Sequence, residues 1–274
     1  MMPTYIHVET NYFFIEKYTL KKPMSDMHFH HAYELYFVLT GSRDYFIEDH
    51  FFKVNEGELV VVPSDALHRT AGKGATRFLV YFTPEFLDCF FSEPICKTLT
   101  ESLQPAVLHP LPEDRDRITK LLISLLREYE SYQKEKTAEK ESAIALLLSD
   151  LLRLIAKLPK AEVKKKNLDS RITQIVKYIN DNYSEITSIE DITNRFYISK
   201  YYFCKLFRKN MGISMFAYIN TLKIQKACEI MQNEKCTLTE IATRCGFNTS
   251  SYFCKTFKKI IGISPSEYRK QNVV

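Results

Sequence analysis

Apolar positions change their spacing twice along this chain. Between Tyr33 and Val62 they come in short bursts over 33–39, 44–47, 51–54 and 59–62, rich in β-branched and aromatic residues. Gly41-Ser42, Glu48-Asp49-His50 and Asn55-Glu56-Gly57 separate them. Such bursts between turn-forming residues predict strands joined by tight turns, a small antiparallel barrel closed by a further strand over 77–82. From Ile118 the spacing becomes three-to-four, which is helical. Ile118, Leu121, Leu122, Leu125, Leu126 and Tyr129 mark one helix; Ile144, Leu147, Leu148, Leu151, Leu152, Ile155 and Leu158 mark a second, across the charged stretch 133–141. These stripes are wide enough to pack on the barrel and leave a seam for a second copy of the chain. The lysine-rich run after Pro159 reads as an exposed linker.

Helical spacing resumes at Ile172, Ile175, Val176 and Ile179. A short helix then starts near Ser188, with Glu190 and Asp191 in the first turn, where the helix dipole favours acids. Tyr197-Ile198 makes a turn and Ser199 caps the next helix. Its Tyr202, Phe203, Leu206 and Phe207 are expected to face inward, and Tyr201, Cys204, Lys205 and Arg208 outward. After a long helix over 218–231 the same phrase returns. Tyr202-Phe203-Cys204-Lys205, Phe207, a basic pair and Gly212-Ile213-Ser214 are matched 50 residues later by Tyr252-Phe253-Cys254-Lys255, Phe257, a basic pair and Gly262-Ile263-Ser264. Self-similarity at one offset means two copies of one structural unit, here a helix-turn-helix. The second copy has Leu238, Ile241 and Ala242 on its first helix, Gly246-Phe247 at the turn, Asn248 as the expected cap, and Tyr252, Phe253 and Phe257 inward. Its turn is longer by one residue, and Gly246 supplies the positive φ that such turns demand. A fold requires the repeated aromatics. It does not require the repeated cations Lys205/Lys255, Arg208/Lys258 and Lys209/Lys259, which point to a repeated anionic partner.

Charge locates that partner. The 274 residues are ordinary in being 45% hydrophobic and 26% charged, enough for two or three domains. The net charge of +5 is unevenly spread: 171–274 holds 16 Lys/Arg against 8 Asp/Glu, and 1–170 holds 22 against 25. Such asymmetry marks a nucleic-acid-binding module joined to one with another task. No apolar run approaches the roughly 18 residues of a membrane span. Glu9, Glu16, Asp26 and His28 stand where a leader would be apolar, so a cytoplasmic protein is expected. Seven cysteines without CxxC spacing read as small apolar residues rather than disulfide partners.

Two resemblances rest on particular residues. Glu240-Ile241-Ala242, Cys245-Gly246-Phe247, Ser251-Tyr252-Phe253, Phe257-Lys258-Lys259, Gly262, Ser264-Pro265 and Tyr268-Arg269 match the signature of the AraC/XylS family, and 172–269 resembles that family's DNA-binding domain. The resemblance implies seven helices, with two recognition helices entering successive major-groove segments on one face of the duplex. Tyr197 departs from it, standing where the first copy commonly has glycine or another small residue. His28-x-His30, Glu34, Gly41, Gly57, Pro63 and His68 look like both cupin motifs, with Asp65 replacing the second motif's usual glycine. In metal-using cupins the positions of His28, His30, Glu34 and His68 are the ligands, and three imidazoles with one carboxylate make a credible set. AraC-type sensors often keep the pattern without metal, so hydrogen bonding or ligand contact at a barrel mouth is the role expected here, with no metal and no cofactor. Tyr36, Phe46 and Tyr81 are candidates for the pocket lining or for the core.

The expected fold is an α+β multidomain chain: a cupin-like β-barrel over 1–110, a helical pair for dimerisation over 111–158, a linker over 159–170, and an all-α double helix-turn-helix domain over 171–274. The expected function is a sequence-specific, effector-responsive transcription regulator, an activator rather than an enzyme. It would act on double-stranded DNA as a homodimer with the transcription machinery and have no membrane partner. Two helices on one face must sit roughly 34 Å apart. Tyr201, Cys204 and Lys205, and Ser250, Ser251, Cys254 and Lys255, are assigned to base edges, the lysines as donors to guanine O6 and N7. Arg208, Lys209, Lys258 and Lys259 are assigned to phosphates. The tentative effector contacts are His28, His30, Glu34, Tyr36 and His68. Two alternatives stand beside this reading: a metal-dependent cupin enzyme carried on a DNA-binding module, and a DNA-binding protein whose barrel is purely structural.

Overall fold

The computed structural model describes residues 12–20, 27–48, 50–72, 74–159 and 170–272, which form one compact unit around a β-sheet and one built of helices. Most of the expected linker, 160–169, lies outside the described residues. The first unit runs β1 (Phe13–Leu20), β2 (Tyr33–Ile47), β3 (His50–Asn55), β4 (Leu59–Val62), β5 (His68–Ala71), β6 (Ala75–Phe82), α1 (Pro84–Asp88), α2 (Glu93–Thr100), β7 (Ala106–Leu108), α3 (Pro112–Lys134) and α4 (Ala138–Ile155). The sheet is antiparallel, in the order β1-β6-β2-β4-β7, and β3 and β5 also pair with β2.

β4 falls on the predicted strand, and β3 and β6 extend theirs by one or two residues. The predicted turn at Gly41-Ser42 does not exist. β2 runs straight through it for 15 residues, pairing with β6 and β4 over its first part and with β3 and β5 over its second. Its register slips between Val38 and Thr40, and Gly41 has φ +91. A Cβ on Gly41 would stand 2.7 Å from the Gly74 carbonyl oxygen. Glycine here bends a strand between two sets of partners instead of ending it.

Alternation along β2 divides the core. Leu35 and Phe37 join Leu59, Val61, Phe78 and Val80 in a layer that packs on Ile118, Leu122 and Leu125 of α3 and Ile144, Leu148, Leu151 and Leu152 of α4. Tyr36 and Val38 point the other way, to Tyr45, Ile47, Val54, Val60, Val62 and Leu79. Both faces are buried, which is why the strands read as apolar bursts without polar alternation. On the helical pair, Leu146 is 61% exposed and Ile123 37%.

The second unit runs α5 (Ser170–Asn182), α6 (Ile189–Phe196), α7 (Lys200–Met211), α8 (Met215–Asn233), α9 (Leu238–Arg244), α10 (Ser250–Ile261) and α11 (Pro265–Asn272), seven helices among the described residues. Each helix-turn-helix opens on a capping box, Ser188 with Asp191 on α6 and Thr237 with Glu240 on α9. Each turn closes alike: Ile198 N–H donates to the Thr193 carbonyl at 3.1 Å, and Phe247 N–H to the Ala242 carbonyl at 2.9 Å. Ser199 caps α7 as expected. α10 is capped by Thr249 and not by Asn248. Both residue types cap well; the extra residue of the second turn is Asn248 itself, which moves the cap one place on.

Phe203, Phe207, Phe253 and Phe257 are buried. Tyr202 and Tyr252, expected beside them, are 39% and 51% exposed. Phenylalanines four apart already fill the inward stripe, and each second ring meets a tyrosine edge-on, Phe207 with Tyr218 at 5.8 Å and Phe257 with Tyr268 at 5.5 Å. The position preceding each pair is left at the rim, where the Tyr252 hydroxyl accepts from Asn220 Nδ2 at 3.0 Å.

Candidate DNA interface and sensor site

Residues three and four apart on a helix share a face. On α7 that rule groups Tyr201, Cys204, Lys205 and Arg208, with Lys209 beside them, and all five are exposed. On α10 it groups Ser250, Ser251, Cys254, Lys255 and Lys258, with Lys259 beside them, all exposed except the half-buried Cys254. Neither helix has an acid in its first turn, so the partial positive charge of each N-terminus is uncompensated there. Among the described residues, Lys205, Arg208, Lys209, Lys255, Lys258 and Lys259 make no ion pair. Other cations of the unit do: Lys200 reaches Glu190 at 3.0 Å, Lys226 reaches Glu229 at 2.8 Å, and Arg244 pairs with Glu234. Positive charge outside any ion pair is therefore collected on the two expected reading faces.

The pattern gave no hint of Lys223. Its ammonium donates to the Gly246 carbonyl at 2.6 Å and lies 5.6 Å from the centre of the Phe247 ring. Burial draws its pKa below the ordinary lysine value. A lysine between Leu222 and Ile224, on a helix whose neighbours are apolar, is the signal that was available.

In the sheet unit, His30 Nδ1 lies 3.0 Å from the Ala32 carbonyl and His68 Nδ1 2.8 Å from the Ala66 carbonyl. A carbonyl only accepts, so Nδ1 of each ring donates, and each Nε2 faces Glu34 Oε2, at 3.5 and 3.3 Å, to which it donates when the ring carries a second proton. The Tyr45 hydroxyl donates to Glu34 Oε1 at 2.9 Å. Burial pushes the Glu34 carboxyl up, but the two imidazoles outweigh it and hold the group well below the carboxylate range. Burial draws His30 below its ordinary value. His28 is buried as well. Imidazoles converging on a carboxylate have the donor chemistry of a divalent transition-metal site, and equally of a proton shared with Glu34.

All four residues are buried. So are the aromatics: Tyr36 meets Tyr45 edge-on, its hydroxyl accepting from Arg43 Nε at 3.4 Å, and Phe46 packs on Phe51. Half-buried Tyr81 meets His30 at 4.8 Å. His31 is held on both sides, Nδ1 by Asp65 at 2.7 Å and Nε2 by Glu85 at 3.0 Å. Burial would lower its pKa; the two carboxylates outweigh that and raise it to about 10. Asp65, in the place of the motif's glycine, has φ 62, and its N–H donates to the His30 carbonyl. A separate cavity of about 130 Å³ lies among β1, α1 and the α3–α4 connection, its lining including Phe13, Phe86, Tyr129, Tyr132, Lys136 and Glu141.

The comparisons agree with this division. A model described as an AraC-like ligand binding domain matches residues 16–148, and one described as a helix-turn-helix domain matches residues 192–271. An uncharacterized HTH-type transcriptional regulator of Bacillus subtilis, YfiF, is 24% identical over 226 residues, 81% of this chain and 72% of its own. The regulatory protein PocR of Salmonella typhimurium is 35% identical over 103 residues, 38% of this chain and 34% of its own, so that match spans about a third of PocR. The melibiose operon regulatory protein of Escherichia coli is 22% identical over 264 residues, 90% of this chain and 84% of its own. Two family models, matched in order over the sheet unit and the helical unit, identify the chain as a member of the AraC family of helix-turn-helix transcription regulators.

Proposed function

We propose that this protein regulates transcription by reading two neighbouring major-groove segments of duplex DNA with α7 and α10, under the control of a small molecule bound by the sheet unit. The observation that carries the reading is the pair of exposed stripes at matched positions of a duplicated unit, each with cations that form no ion pair among the described residues. Tyr201, Cys204 and Lys205, and Ser250, Ser251, Cys254 and Lys255, reach base edges; Arg208, Lys209, Lys258 and Lys259 take phosphates. The regulator works in the cytoplasm as a homodimer through α3 and α4, where Leu146 and Ile123 are exposed, and activates through the transcription machinery. It performs no catalysis.

An effector shifts such a protein only by binding two arrangements unequally. His30 and His68 turn Nε2 to Glu34, which also accepts from the Tyr45 hydroxyl, and we assign these groups to holding the sheet unit together around a shared charge. The cavity beside the α3–α4 connection is the better entry for a one-ring compound. Selection of bound sequences from random DNA by the full-length protein tests the reading. Two enriched elements about 10 base pairs apart are expected; a pool that never departs from random overturns it. Repeating the selection with candidate metabolites, together with thermal shift, tests the effector.

A further inference from the structure

The turn of the first helix-turn-helix holds a residue that the fold does not use. Tyr197 ends α6 at φ 50, ψ 49, in the left-handed region where a bulky side chain is strained and glycine is not. Its side chain is 95% exposed, and among the described residues it has no hydrogen bond, ion pair or ring contact. The backbone strain disfavours the folded state, and no contact of the side chain offsets it. The equivalent position of the second copy is Gly246, where a Cβ would stand 3.0 Å from the Ser184 carbonyl oxygen and 3.2 Å from Lys223 Nζ. The second turn is packed and takes glycine; the first is open to solvent and takes a strained tyrosine. An outlier of this kind motivates a functional reading.

Position identifies the occupant. Tyr197 lies two residues before Ser199, the cap of α7, and so at the leading end of the helix that carries Tyr201, which is 77% exposed, and the unpaired Lys205. We infer that Tyr197 is a DNA-positioning residue: its ring and hydroxyl lie against the sugar–phosphate backbone flanking the groove that α7 enters, with the hydroxyl donating to a phosphate oxygen. Tyrosine hydroxyls are among the donors that fix register on a duplex without reading its sequence. The inference rests on the DNA-binding reading above and adds a contact to the first reader that the second lacks.

The test uses full-length protein and a duplex that the wild type selects from a random pool. Tyr197→Gly and Tyr197→Asn both keep the left-handed turn and remove the ring; Tyr197→Phe removes only the hydroxyl. The expected result is a higher melting temperature for Tyr197→Gly than for wild type, together with Kd weakened about 3- to 10-fold on the selected and on an unrelated duplex alike. The slope of log K against log salt should stay unchanged, because no charge is lost. Tyr197→Phe should fall between. Unchanged DNA affinity in Tyr197→Gly and Tyr197→Asn overturns the inference and leaves the residue to a protein partner or to solvent. Loss confined to the selected duplex also overturns it, since that would make Tyr197 a base reader. If wild type selects no sequence, the DNA-binding reading fails and not this residue's role within it.

Discussion

The two helix-turn-helix units are built alike and faced differently. Both have a capping box, a left-handed residue at the turn, a hydroxyl cap on the recognition helix, a pair of inclined phenylalanine rings meeting a tyrosine, and a closing glycine, Gly212 or Gly262. The reading faces have diverged. α7 leads with Tyr201 after an open turn at Tyr197; α10 leads with Ser250 and Ser251 after a turn held to α8 by Lys223. Positions that fill the core are held to one solution by packing, whereas positions at solvent are set only by what they meet there. The first reader therefore presents broad aromatic surface and the second small hydroxyls, so the two halves of an operator should be recognised by different chemistry.

That comparison can be broken at several levels. Truncating the matched core rings should act equally: Phe207→Ala and Phe257→Ala should each destabilise the helical unit by about 3–5 kcal/mol in denaturant unfolding of the full chain. A marked inequality would mean that the copies are not equivalent scaffolds. On the reading faces the effects should separate. Lys255→Ala should lose about 1–3 kcal/mol at one base position and relax selectivity there, while Lys258→Ala should weaken all duplexes alike and lower the salt slope by about one. Equal losses on cognate and random DNA for both variants would refute the division between base and phosphate contacts. Lys223→Met removes the hydrogen bond from α8 to the second turn, which has no counterpart at the first turn among the described residues, and should cost about 1 kcal/mol. Hydrogen exchange should show it as faster opening around 242–249, with the first turn unaffected.

Acid should act least, and equally. Backbone hydrogen bonds hold the capping carboxylates Asp191 and Glu240 below their ordinary values of 3.8 and 4.5. A depressed folded pKa gives stability that is complete above the unfolded value and lost as pH falls through the folded one. Each cap should therefore weaken as pH drops from about 5 towards 3. Asp191→Asn and Glu240→Gln should flatten the melting temperature against pH by similar small amounts; a large effect in only one copy would show that its box does more than cap.

Much of this was readable beforehand, for physical reasons that differ by region. The duplication, the helices and the cation stripes rest on local spacing, which three-to-four periodicity exposes directly. β1, β5 and β7 were missed because they are short or isolated strands whose partners, β6, β2 and β4, lie far away in sequence. Gly41 misled because glycine marks a bulge as readily as a turn, and pairing with β3 and β5 settles which. The histidines and Glu34 read as one motif, but a motif does not say how deeply its side chains are buried. Tyr45 was invisible as the donor to Glu34, since nothing local separates it from the core aromatics around it.

The uninterrupted course of β2 has a mechanical consequence. One stretch of peptide belongs to both groups of strands, and Glu34 and Tyr45, which hydrogen-bond to each other, stand near its two ends. A displacement imposed on either group is carried into the other along covalent bonds, with no loop in between to absorb it. The two groups of strands are thereby coupled through Gly41, where the shared strand bends.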